Sequence, residues 1–178
     1  MRSILIVTCI LTLLPALVLA QSPGDVSRGK TIFEGKGECL SCHRVNGNGS
    51  RTGPDLSDIG VPRPAAGVGP GAGGTAAGNP KNLELAIIDP DAEIAIANRS
   101  VRIVTKEGTT LTGRLLNHDN FTVQFIDSQG KLRSFMKSDL REFAILTKST
   151  MPSYKGKLND QEVTDVVAYL MSLKGAGK

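Results

Sequence analysis

Cys39, Cys42 and His43 stand in the spacing CxxCH within "ECLSCHRVNG", and no other feature of the 178-residue chain constrains its fold as tightly. Two thiols at this spacing, with an imidazole next to the second, read as a site of covalent c-type haem attachment. The thiols bond the vinyl groups and the imidazole binds iron. A second axial ligand must then come from elsewhere, yet after His43 neither His nor Met occurs until His118 and Met136. A disulfide between Cys39 and Cys42 is the plain alternative for an exported chain, and it leaves His43 unexplained.

Residues 1–20 are expected to be a signal peptide. Arg2 precedes the apolar run "ILIVTCILTLLPALVLA", which is interrupted by Pro15 and ends in Val18-Leu19-Ala20, a small-residue cleavage site. Cys9 leaves with it. A retained anchor would want about 20 apolar residues, slightly more than this run offers, so a periplasmic protein without stable membrane insertion is expected. Cleavage removes one charge, that of Arg2, from a formal net charge of +4. A balance so mild does not argue for nucleic acid, and it favours at most an acidic docking surface on a partner. What remains can hold one domain or two small ones.

The expected organisation has an N-terminal part with the CxxCH motif over 21–60 and a Gly/Ala/Pro-rich linker over 61–80. A short helix plus β insert follows over 81–148, and a closing segment with a C-terminal helix over 149–178. In "DVSRGKTIFEGKG" Val26, Gly29 and Phe33 recur at helical spacing. Asn159 with Glu162 reads as an N-cap and capping box, and Val163, Val166, Val167, Tyr169, Leu170 and Leu173 form the apolar stripe of a helix of about 14 residues. Asn79-Pro80 starts a short helix with Leu83, Ala86, Ile87 and Ile88 on its apolar side, ended by Asp89-Pro90. Five alternating runs then read as strands: "RSVRIVTK", "TTLTGRLL", "FTVQFID", "KLRSFMK" and "LREFAIL". In the third, Phe121, Val123 and Phe125 are expected on one face.

Taken together these segments resemble class I cytochrome c. The resemblance implies a mainly α cytochrome c fold with an inserted small antiparallel β module, α+β overall. It pairs Gly29 and Phe33 of "GKTIF" with Val166 and Tyr169 of "VVAYL" at a helix crossing, and it makes Pro54 of "TGPDL" the carbonyl that orients His43. Phe33 stands farther before Cys39 than is usual in the family, so "EGKGE" is expected to bulge. Met151, in "KSTMPSYKG" just before the last helix, matches the family's axial Met-Pro pair, and Pro152 would stiffen its loop. Met136 and Met171 read as packing residues; His118, in "NHDN", reads as a turn residue through which bis-His ligation is the alternative. The strings "CLSCHRVNGNGSRTGPDLSDIG", "LELAIIDPDAEIA", "VTKEGTTLTGRLL" and "STMPSYKGKLNDQEVTDVVAYLMSLK" are similar to the haem-binding cytochrome domains expanded in planctomycetes, verrucomicrobia and acidobacteria, which are often fused to dehydrogenases. The Gly/Ala/Pro tract departs from that pattern.

The resemblance implies one covalent haem c, anchored by Cys39 and Cys42, with His43 and Met151 as axial iron ligands. It implies one-electron transfer between redox protein partners, a periplasmic or membrane-bound dehydrogenase and a terminal electron acceptor among them, and an electron carrier rather than an enzyme. The other reading is a haem-based sensor or enzyme with an open or labile sixth site.

Overall fold

The computed structural model describes residues 22–62 and 77–175; the expected signal peptide, with Cys9, and most of the Gly/Ala/Pro tract lie outside them. Helix α1, Val26–Glu34, begins where the Asp25 carboxylate accepts the Arg28 N–H at 2.8 Å. It ends in the expected bulge. Gly37 N–H donates to the Ile32 carbonyl at 2.7 Å, and Glu38 takes a left-handed φ of 49° that turns the chain into the CxxCH segment.

Helix α3, Asp160–Ser172, carries the capping box anticipated from Asn159 and Glu162, with both reciprocal bonds at 2.9 Å. Its stripe of Val163, Val166, Val167, Tyr169 and Leu170 is buried against α1. The two helices cross where α1 has no side chain. A Cβ on Gly29 would stand 1.9 Å from the Asp165 carbonyl oxygen and 2.9 Å from Tyr169 Cβ, so only glycine permits this approach. One turn on, the Phe33 and Tyr169 rings meet edge to face, 5.3 Å apart at 61°. Val26, in the first turn, lies beyond the crossing and is exposed.

Helix α2, Pro80–Ile88, starts at Asn79, whose side chain accepts the Lys81 and Asn82 N–H groups. Grouped by sequence with the β insert, it packs instead with the other helices: Leu83 and Ile87 belong to the same buried cluster as Phe33, Val166 and Tyr169. The apolar side of a short helix does not name its partner, which explains the difference.

The five alternating runs form one antiparallel sheet: β3 Ser100–Thr105, β4 Thr110–His118, β5 Thr122–Asp127, β6 Leu132–Met136 and β7 Leu140–Ile145, in the order β6-β5-β4-β3-β7. (A two-stranded hairpin, β1 Arg44–Val45 with β2 Asn48–Gly49, precedes them in the chain.) The sheet curls on itself, bringing the His118 ring of β4 to 5.8 Å from Phe143 of β7 and the Lys137 ammonium to 4.3 Å from the same ring. Val101, Ile103, Leu115, Val123 and Phe125 make its own core, with no residue in common with the helical one. Phe121 departs from the expected alternation and is 70% exposed. Asp119 accepts the N–H groups of Phe121 and Thr122 at 2.7 and 2.6 Å, and this turn holds Phe121 outside the strand. Helices and sheet together make the α+β architecture expected of a cytochrome fold with a β module.

Candidate cofactor site

The CxxCH segment winds into a 3₁₀ turn over Cys39–Ser41, with Cys42 and His43 N–H both donating to the Cys39 carbonyl, at 3.2 and 2.8 Å. No disulfide joins the two cysteines, of which Cys39 is half-buried and Cys42 exposed. Burial pushes the Cys39 thiol up to about 11, so it stays protonated near neutral pH, its sulfur 3.5 Å from the Gly37 carbonyl oxygen.

From His43 the chain turns back through the β1–β2 hairpin at Asn46-Gly47, both with positive φ (49° and 88°) as a type I′ turn requires. Gly53 N–H then donates to the Cys42 carbonyl at 2.7 Å, and this bond sets the next residue beside the imidazole. His43 Nδ1 lies 2.9 Å from the Pro54 carbonyl oxygen. A carbonyl can only accept, so this contact makes Nδ1 the protonated nitrogen and leaves the lone pair on Nε2. A Cβ on Gly53 would come within 2.9 Å of Nδ1, so glycine keeps the ring's place clear. Burial lowers the His43 pKa; the Pro54 bond opposes it, and the positive charge of Arg114 adds to it. The result is a neutral imidazole with one free nitrogen, the form in which histidine binds a metal.

Met151 reaches the same region from the other end of the chain. It is half-buried against the helical core together with Cys39, Leu40, Leu56, Ile88 and Tyr154. Its segment is tied to α2 and the residues after it: Tyr154 N–H donates to the Ile87 carbonyl at 3.0 Å, Ser153 Oγ to the Ile88 carbonyl, and Ser149 N–H to Asp91 at 2.6 Å. Tyr154 Oη also donates to the Gly37 carbonyl at 2.6 Å and so ties the Met151 segment to the bulge before Cys39. Sequence reasoning missed Tyr154 and α2 in this role, because hydrogen bonds between residues distant in sequence leave no periodic signal.

Of the remaining candidates, Met171 packs on the helical core from α3, as a packing residue should. Met136 does not: on β6 the inward positions go to Arg133 and Phe135, and Met136 is 49% exposed. His118 ends a strand rather than sitting in a turn, exposed and beside Phe143. Among the described residues no three His, Cys, Asp or Glu side chains gather into a metal site. The residues around His43 therefore fit an iron brought by a flat apolar ring: two thiols on one turn, one free imidazole nitrogen, and a wall of half-buried apolar side chains.

Residues 26–96 match the family model described as Cytochrome c. The match spans α1, the CxxCH segment, the Pro54 loop and α2, and stops just before β3. No curated protein matches the chain. The matched segment, less than half of the chain, is similar to cytochrome c, a family that binds covalently attached haem c and carries electrons to and from redox protein partners. None of the described helices is long and apolar enough to cross a membrane.

Proposed function

We propose that the chain is a periplasmic mono-haem cytochrome, with covalent haem c, that accepts single electrons from a dehydrogenase and passes them to a terminal acceptor. Cys39 and Cys42 would anchor the porphyrin, His43 and Met151 would bind the iron, and Pro54 would orient His43. The observation that carries this reading is the 2.9 Å contact from His43 Nδ1 to the Pro54 carbonyl, beside the two thiols. The bound haem supplies a one-electron iron couple. The protein's residues supply the rest. Pro54 holds the imidazole's proton on Nδ1 throughout, so no proton need move with the electron. The thioether of Met151, a soft ligand, would favour ferrous iron and raise the potential. With His43 and Met151 both bound to the iron, no coordination site would be left for a substrate, which would suit a carrier rather than a catalyst.

The Met151→Ala variant tests the assignment. It should lose the weak far-red sulfur-to-iron charge-transfer band of the oxidised protein, show a lowered potential, and bind carbon monoxide in the ferrous state. Met136→Ala and Met171→Ala should keep the band. A band that survives Met151→Ala and disappears with either of the others refutes Met151; a wild-type protein that binds carbon monoxide at once favours the open-site sensor.

A further inference from the structure

Two arginines near His43 have buried Nε atoms with no hydrogen-bond partner among the described residues, Arg44 and Arg114. Arg44 directly follows His43, whereas Arg114 arrives from the β module. Its strand position is informative. Arg114 of β4 pairs with Ser100 of β3, and the Ser100 hydroxyl stands 3.4 Å from that of Thr150, next to Met151. Its charge also acts on the His43 imidazole and meets that of Arg51, while only Asp55 opposes it. Asp55 is already engaged, its Oδ1 accepting the backbone N–H and the hydroxyl of Ser57. A buried guanidinium nitrogen without an acceptor is costly, and a crowd of like charges adds to that cost. Among the described residues no carboxylate accepts from either Nε.

We propose that Arg114, with Arg44, binds the propionate carboxylates of the haem, so that the β module forms part of the haem pocket and sets its electrostatics. The inference rests on the haem-binding reading above and goes beyond it by giving the inserted sheet a task at the cofactor. Haem carries two propionates, and the Nε of each of two arginines lacks an acceptor; a planar fork on a carboxylate is the pairing arginine makes best. A cation held there also disfavours the ferric state relative to the ferrous one.

The test uses the haem-loaded protein, with the pyridine haemochrome confirming attachment in every variant. Arg114→Gln should lower the reduction potential and shift the propionate-bending mode in the resonance Raman spectrum, because the carboxylate loses a charged donor. Arg114→Lys should move both in the same direction by less. Arg102→Gln removes the same charge from the same sheet at an exposed site paired with Glu142, and should move neither. The proposal is overturned if the propionate mode stays put in both Arg114 variants. It is equally overturned if Arg102→Gln shifts the potential as much, or if the Arg114→Gln effect appears only with added phosphate, since a free anion would then be the ligand. Should Arg114→Gln fail to fold, the Arg114→Lys spectrum decides alone. Absence of haem from the wild type would instead sink the haem reading itself.

Discussion

Asp165 shows what a single residue can decide. It lies within the apolar stripe of α3, 2% exposed, and its carboxylate accepts from Arg28 Nε at 2.8 Å, from the Asp25 N–H at 2.8 Å and from Gln161 at 3.1 Å. The Arg28 bond, against the opposing effect of burial, holds its pKa at about 2 instead of 3.8. A folded-state pKa below the unfolded one means that the stabilisation is fully present above about pH 4 and is lost as pH falls toward 2. Asp165→Asn should therefore cost about 2 kcal/mol at neutral pH, the scale of hydrogen bonds to a charged group. Urea titrations of both proteins should show the gap closing between those pH values; a gap independent of pH would mean that the charge is immaterial. None of this was legible in the sequence. Arg28 is 137 positions away, and an Asp two places after Val163 reads as solvent-facing until the crossing at Gly29 brings the helices together.

At the scale of elements, legibility followed how local the signal was. The α3 boundary could be read because cap and box lie within four residues, and Asn159→Ala should cost about 1 kcal/mol by unfolding of the whole domain, the usual loss for a helix cap. An unchanged midpoint would show that α3 is held by packing alone. Strand spans were equally visible in their alternation, whereas the register shifts at Val104/Thr105 and Leu115/Asn117 depend on partner strands that alternation cannot name. The site divides in the same way. Cys39, Cys42 and His43 could be read from their spacing, and Pro54, 11 positions after His43, only through the resemblance of "TGPDL" to the cytochrome c loop. The support under Met151 comes from α2, joined to it by bonds such as that between Tyr154 and Ile87, and the sequence instead suggested that α2 belongs with the sheet.

The molecule as a whole keeps two hydrophobic cores apart, and this decides what the sheet is for. The β3–β7 sheet begins and ends at one point, where Leu146 N–H donates to the Ser100 carbonyl at 2.7 Å. The chain on either side is already together, since Ser149 bonds Asp91 and Tyr154 bonds Ile87. Closing that gap with a few residues in place of the sheet costs little loop entropy, and it removes no member of the core around Phe33 and Tyr169. Replacing residues 100–146 with a short Gly/Ser loop while keeping α2 should therefore leave a protein that still attaches haem, as the pyridine haemochrome and the added mass would show. The same deletion takes Arg114 away from the propionates, so the shortened protein should have a lower potential, in the direction of Arg114→Gln. Loss of covalent haem, with secretion and haem supply intact, would mean that the sheet belongs to the haem-binding core. Retained haem with an unchanged potential would leave the sheet no electrostatic part in the pocket. A retained cofactor at a lowered potential is the one result that makes the sheet both separable in folding and coupled to the iron.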